Sequence, residues 1–302
     1  MILRPLRHNP EPTGAPPVPQ DLITPTTTSL PALSLRWPAT ASAVTRAFCA
    51  STLHRIYRGE GALIAINLSW AAWAASGSAA AIVPSIVSIL TLVAMYALND
   101  LYDAPLDAGN PKKDLKLVGA YLRHQRASTV ALLGLKLATL TLAWIALGPR
   151  PALATGGVMV VNLVYSVALK GVPVIDVIWC GVWGGVYAAI VTGAPLPLAL
   201  VGVMTGVCHL YQALDDRTSD AANSITTTAV RSMALSRNVL VGLSIALAAV
   251  LFPLLGPLWA ASAAAPIVIY AATPTAHTGW LLTKVYFGLV WLSVLGRMGE
   301  VV

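Results

Sequence analysis

The sequence predicts an all-α, polytopic membrane protein with about nine transmembrane helices, and three observations carry that reading. The chain of 302 residues is 57% hydrophobic and only 10% charged, with a mean hydropathy of +0.73; such a composition belongs in a bilayer rather than in water. Its apolar residues fall in stretches of roughly 17 to 20, the length a helix needs to cross the hydrocarbon core. Gly and Pro punctuate the edges of these stretches, as at Gly148 and Pro149, Pro195 and Pro197, and Gly256 and Pro257, where short turns join helices. The net charge of +7 therefore reports topology before any nucleic-acid partner. Cys49, Cys180 and Cys208 show neither metal-ligand spacing nor a framework of pairs, and read as buried thiols.

Taken in order, residues 1–54 form an N-terminal tail rich in Pro, Thr, Ser and Ala, with PPVP and TPTTTSLP and no long apolar core. That composition predicts disorder. The tail lacks the charged start and apolar segment of a secretory signal; its excess of Arg, Ser and Thr over acids also fits a transit peptide. Residues 55–302 form the membrane domain. Its nine expected spans run at about 62–80, 82–99, 129–147, 151–168, 174–192, 195–213, 238–255, 257–272 and 279–296, read from length and hydropathy.

With the N-terminus inside, Arg55, Arg58, Lys112, Lys113, Lys116, Arg123, Arg126, Lys170, Arg217, Arg231, Arg237 and Lys284 fall on the cytoplasmic side, against Arg150 and Arg297 outside. The basic residues thus set the orientation. Two long polar loops, 107–128 and 216–236, follow the second and sixth spans, which suggests two four-helix units and one extra helix. Within spans, Asn67 and Asn162 read as interhelical hydrogen-bonding residues, and Lys136 as a snorkelling lysine.

Each of those loops is entered through a cluster of carboxylates. The chain has only 12 acids, and six stand in two short runs, Asp100, Asp103 and Asp107, then Asp215, Asp216 and Asp220. On a helix, 100, 103 and 107 (i, i+3, i+7) share one face, as do 216 and 220 (i, i+4). One acid at the end of a span can simply mark where the helix leaves the membrane. Two clusters with helical spacing are costly to place there without a role. Facing each other, they would hold a pair of hard divalent cations, and such oxygen ligands suit Mg²⁺ shared with a phosphate-bearing substrate. Lys112, Lys113, Lys116, Lys170, Arg217 and Arg231 stand near the clusters and would neutralise the rest of a diphosphate. One helical turn below Asp100 lies Tyr96; Gln212 and His209 lie one and two turns below Asp216. Tyr96 reads equally as packing or as an aromatic face for a developing carbocation, and His209 equally as a ligand or as a bond to a neighbouring helix.

These residues resemble a family. Asn-Asp-x-x-Asp-x-x-x-Asp at 99–107 with Asn110, Pro111 and Lys112 after it, Tyr-x-x-x-Asp-Asp-x-x-x-Asp at 211–220, and the turn with Tyr165, Ser166 and Lys170 look like the UbiA superfamily of intramembrane prenyltransferases, over about residues 55–298. The resemblance implies a helical bundle around a central cavity open to the membrane. It also implies one Mg²⁺ on Asp100, Asp103 and Asp107, and a second on Asp216 and Asp220, both bound to the diphosphate of an isoprenyl donor. Asn99 would contact phosphate, with Lys112 or Lys113, Lys170 and Arg217 steadying its charge; Tyr96, Tyr211, Tyr165, Ser166 and His209 complete the expected site. Two departures stand out: Asp114, Leu115, Lys116 and Leu117 replace an Arg-Pro pair common after the first motif, and Ser219–Asp220 replaces a Gly-Asp.

The expected reaction is Mg²⁺-dependent ionisation of an isoprenyl diphosphate and transfer of the prenyl group to an aromatic or other lipophilic acceptor. A terpene cyclase on the same scaffold, in which an internal double bond attacks the cation, stands beside it. Tyr96, Trp179, Trp183, Tyr187 and Tyr211 supply aromatics for either. A cation transporter would carry its acids near the midplane, whereas these lie at the cytoplasmic edge beside basic loops; an alcohol phosphotransferase would need Asp-x-x-Asp-Gly-x-x-Ala-Arg, which the sequence lacks.

Overall fold

The computed structural model describes residues 37–57, 62–74, 78–108 and 113–299, and every regular element among them is helical. The helices are α1 (Trp37–Tyr57), α2 (Ala62–Ala74), α3 (Ser78–Asp107), α4 (Leu115–Arg123), α5 (Gln125–Leu147), α6 (Pro149–Val164), α7 (Ile175–Ala188), α8 (Pro195–Ala222), α9 (Thr228–Arg231), α10 (Met233–Leu255), α11 (Pro257–Ser262), α12 (Ala265–Ala272) and α13 (Ala276–Gly299). Among the described residues six segments are long and apolar enough to cross a membrane: Ala80–Asp107, Gln125–Leu147, Pro149–Leu169, Pro195–Ala222, Met233–Leu255 and Ala276–Arg297. The other three expected spans appear as shorter apolar helices, Ala62–Ala74, Ile175–Ala188 and Pro257–Ala272, so the count of nine crossings reduces to six full-length ones and three short ones.

The helix boundaries follow local chemistry. Gly148 (φ 86°) and Gly256 (φ 92°) end α5 and α10 in a left-handed conformation that suits glycine, and Pro149 and Pro257 open the next helices, where a missing N–H costs nothing. Asp114 caps α4 by accepting from the backbone N–H groups of Lys116 (2.9 Å) and Leu117 (3.3 Å), and Ser232 caps α10 through Leu235 N at 3.3 Å.

Packing is organised around α8. α7 and α8 meet across Gly181, Gly185, Gly202 and Gly206; a Cβ on Gly181 would stand 3.1 Å from the Gly202 carbonyl oxygen. Small residues four apart let the backbones touch, the device by which helices associate where lipid removes the hydrophobic drive. One buried cluster joins α2, α7, α8, α10 and α13 through residues such as Trp70, Leu210, Leu247 and Phe287. A second joins α1, α3, α4 and α5, and a third α3, α5, α6 and α7. Polar glue appears where the sequence suggests it: Asn67 Nδ2 donates to Ser88 Oγ (3.2 Å) and Tyr187 O (3.0 Å), and Asn162 Nδ2 to Met95 O (3.4 Å).

Two expectations need correction. Residues 37–54, assigned to the tail, belong to α1, which buries Val44, Ala47 and Phe48 in the second cluster. Ser51 on the same face shares a 2.7 Å hydrogen bond with the Tyr121 hydroxyl, whose ionisation burial suppresses. The i, i+3, i+4, i+7 spacing of these four residues is invisible to composition, which registers only Ala, Ser and Thr. Residues 1–36 of the expected tail lie outside the described residues. Lys284, counted with the cytoplasmic-side basic residues although it falls within the expected span 279–296, stands inside α13, its Nζ 3.2 Å from the centre of the Trp280 ring.

Candidate active site

The C-terminal turns of α3 and α8 open onto one cavity of about 660 Å³. Asp100, Asp103 and Asp107 line it from α3; Asp215, Asp216 and Asp220 line it from α8. The helical phase that put the acids on one face of each helix in the sequence thus turns both faces inward.

Each carboxylate of α3 is met by a cation from a different element. Arg55 Nη2 of α1 lies 2.6 Å from Asp100 Oδ1, with its guanidinium carbon 4.8 Å from the centre of the Tyr96 ring. Lys170 Nζ reaches Asp103 Oδ2 at 2.5 Å, and Lys113 Nζ reaches Asp107 Oδ2 at 3.2 Å. On α8 the partners are different in kind: the Thr227 hydroxyl donates to Asp220 Oδ2 at 3.4 Å, and His277 Nδ1 stands 3.4 Å from Asp215 Oδ2.

The turn between α6 and α7 completes the wall. Tyr165–Leu169 form a π-helical turn closed by Lys170 N to Tyr165 O at 2.8 Å, a widening often found at functional sites. It aims Tyr165, Ser166 and Lys170 into the cavity together. Ser166 Oγ donates to Asn99 Oδ1 (2.9 Å) and to Asn162 O (3.0 Å). The serine takes the carbonyl end of Asn99, so the amide end is the part left for a ligand. Deeper, the Tyr165 hydroxyl lies 3.3 Å from His209 Nε2, and the Trp179 indole donates to Val161 O at 2.8 Å. Tyr96, Trp183, Trp280, Phe287 and Trp291 extend the lining.

Most of the expected residues thus share one chamber: Tyr96, Asn99, Asp100, Asp103, Asp107, Lys113, Tyr165, Ser166, Lys170, His209, Asp216 and Asp220. Lys112 lies outside the described residues. Arg217 does not join them. It is exposed and lines a separate shallow pocket with Tyr270 and Thr273, because one residue past Asp216 is a turn of about 100° around the helix. Tyr211 is fully buried instead of lining the cavity. Its hydroxyl donates to Pro266 O at 2.5 Å and its ring packs on Gly279, where a Cβ would come within 2.7 Å. Tyr187 is likewise a packing residue, donating to Ser88 O at 3.0 Å.

One residue of the site's support escaped the sequence reading. Asp176, at the start of α7 and fully buried, accepts from Thr228 N at 2.9 Å and from the Thr228 hydroxyl. Thr228 Oγ1 in turn accepts from Val174 N at 2.7 Å. Beside this clasp, Gly171 (φ 85°) presses on Ile225, where a Cβ would stand 3.2 Å from its Cγ2. The loop after α8 is thereby tied to the turn that carries Lys170. The only signal in the sequence was a lone acid at the head of an apolar stretch.

The donor set fits Mg²⁺. All the acids are hard oxygen ligands, which suit an ion that keeps waters and binds through one or two carboxylates plus substrate phosphates.

These features define a class: an all-helical, multi-pass membrane protein with two carboxylate clusters on the wall of one cavity. Within that class the chain belongs to the UbiA prenyltransferase family, whose model matches residues 62–290. It is thus a prenyltransferase-type membrane enzyme. Solved structures of a relative are similar to it. A UbiA homolog from Archaeoglobus fulgidus bound to DMAPP and Mg²⁺ matches with a TM-score of 0.58 and 17% identity, over 79% of this chain and 97% of its own. The same homolog bound to GPP and Mg²⁺ matches with a TM-score of 0.54 and 19% identity, over 79% and 98%. At such identity the likeness is one of fold. Comparison with curated proteins gives no match.

Proposed function

We propose that the chain is a Mg²⁺-dependent intramembrane prenyltransferase that ionises an isoprenyl diphosphate and joins the prenyl group to an aromatic or other lipophilic acceptor. The observation that carries this is the continuity of one cavity from six carboxylates with their lysines to Phe287 and Trp291, which lie further along α13 from the carboxylate end that His277 marks. A diphosphate head and an apolar tail need those two ends in that order. The Archaeoglobus homolog, bound to DMAPP or GPP with Mg²⁺, supports the same donor class and metal.

Asp100, Asp103 and Asp107 would hold one ion, Asp216 and Asp220 a second. Bound there, Mg²⁺ supplies positive charge to the departing diphosphate. Lys113, Lys170 and the Asn99 amide donate to its oxygens as negative charge grows. The apolar walls keep water from capturing an allylic cation. Tyr165 and His209, already in contact, lie below the acids with polar atoms for an acceptor. The excess of basic residues in the loops beside the acids supports a cytoplasmic carboxylate end.

Lys284 favours transfer over cyclisation. It lines the cavity from within a span, and an ammonium on the wall opposes a migrating carbocation while suiting a polar acceptor. The cyclase remains the second reading because Tyr96, Tyr165, Trp179, Trp183, Trp280, Phe287 and Trp291 give the cavity an aromatic wall. The test is product analysis of purified protein with Mg²⁺ and isoprenyl diphosphates of increasing length. Diphosphate release that needs an added acceptor supports transfer. Cyclic terpene without acceptor replaces it with cyclisation, and no metal-dependent release in either case overturns both.

A further inference from the structure

Arg55 was legible in the sequence only as a topology residue, and it stands seven positions before the family-matched stretch begins at residue 62. The structure nevertheless places its guanidinium on the first carboxylate of the first motif, 2.6 Å from Asp100 Oδ1. We propose that Arg55 is a donor-site residue: it holds Asp100 while the metal is absent and passes to the diphosphate when the metal takes that carboxylate. The proposal rests on the reading of this cavity as a diphosphate site.

Three observations lead there. First, the backbone under Arg55 is anchored. α1 packs Val44, Ala47 and Phe48 against the bundle and fixes Ser51 to Tyr121, so a change of partner falls to the side chain alone. Second, the guanidinium rests 4.8 Å from the centre of the Tyr96 ring. That aromatic face holds a cation in the cavity whether or not a carboxylate does. Third, the oxygen Arg55 occupies belongs to a residue expected to bind the ion. A divalent cation and a guanidinium repel each other and compete for one carboxylate. A diphosphate resolves the competition, because it brings several oxygens that a planar guanidinium binds in pairs. Lys113 and Lys170 face the same exchange from Asp107 and Asp103, but as point charges on flexible stems.

Arg55 therefore has effects of opposite sign on two ligands: it weakens binding of the bare metal and strengthens binding of the metal with diphosphate. The experiment uses the full chain in detergent. Mn²⁺ alone is titrated by electron paramagnetic resonance, then inorganic pyrophosphate is titrated by calorimetry at saturating Mg²⁺, for the natural protein and for Arg55→Gln, Arg55→Lys and Asp100→Asn. Arg55→Gln should bind Mn²⁺ about fivefold more tightly and Mg²⁺-pyrophosphate about tenfold more weakly. Arg55→Lys should keep the Mn²⁺ affinity of the natural protein and lose part of the pyrophosphate affinity. Unchanged or weaker Mn²⁺ binding in Arg55→Gln, or unchanged pyrophosphate binding, overturns the proposal while Asp100-dependent Mn²⁺ binding persists. If Asp100→Asn leaves Mn²⁺ binding intact, the metal-site reading itself has failed. Thermal unfolding of each variant, expected within a few degrees of the natural protein, shows that the changes are local.

Discussion

The two carboxylate clusters share a cavity but balance their charge differently. On α3 each of three acids is matched by a cation, and those cations come from α1, from the turn after α6 and from the loop before α4. On α8, Asp216 and Asp220 stand one turn apart on one face beside Asp215, and the partners found are a threonine hydroxyl on Asp220 and an imidazole on Asp215. In the first cluster each acid is directly paired with a cation, which a metal binding as proposed would have to displace. The second has no lysine or arginine in direct contact among the described residues, so a metal binding there would displace less. Identical ligand chemistry therefore carries different stability costs at the two ends of one site.

The largest expected effect abolishes the comparison. Asp100→Ala, Asp103→Ala and Asp216→Ala should each lower Mg²⁺-dependent diphosphate release by at least two to three orders of magnitude, roughly the loss when a developing oxyanion forfeits its stabilisation, while the variants remain folded. Retained turnover in any of them would remove that acid from the metal site.

Next comes the frame that sets the clusters against each other. Asp176→Ala strips three N–H and O–H groups, on Val177 and Thr228, of their buried acceptor. Stability should fall by about 2 to 3 kcal/mol, read from the thermal midpoint. Activity in the surviving folded fraction should fall too, since the clasp ties the Lys170 turn to the loop after Asp220. Full activity with lowered stability would confine Asp176 to the fold.

The comparison is sharpest in a pair of neutralising changes. Asp103→Asn leaves Lys170 facing an amide, and with both side chains partly exposed the loss should be about 1 kcal/mol. Asp216→Asn instead relieves like charges one helical turn apart, and should leave stability unchanged or raise it by about 0.2 to 0.5 kcal/mol. Both variants should be equally inactive. Equal loss of stability at the two sites would mean that the clusters are not electrostatically distinct.

The part of this site carried by helical phase was legible in the sequence. Asp100, Asp103 and Asp107 needed only a period of 3.6, and Tyr165, Ser166 and Lys170 were carried by a local motif. What escaped depends on contacts between distant segments. Asp176 finds Thr228 at a separation of 52 residues, and Arg55 finds Asp100 at 45; no spacing rule reaches that far. α1 escaped for a different reason, since small polar residues dilute its apolar face until composition resembles a disordered tail. Tyr211 and Arg217 show the reverse fault. Both stand within a recognisable motif, yet their positions on α8 turn them away from the face of Asp216 and Asp220, and phase was the better guide.

Arg217 gives the smallest expected effect and tests that lesson directly. If the second cluster drew its counter-charge from the nearest basic residue in the chain, Arg217→Ala would weaken donor binding as strongly as Lys170→Ala. The structure instead exposes Arg217 beside Tyr270 and Thr273, where its charge is screened by water and salt. Its removal should alter stability by less than about 0.5 kcal/mol and turnover by less than about twofold, whereas Lys170→Ala, which removes the donor to phosphate proposed above, should raise the KM for the donor about tenfold or more. A matching loss in Arg217→Ala would show that α8 rotates on binding and brings that residue to the cavity.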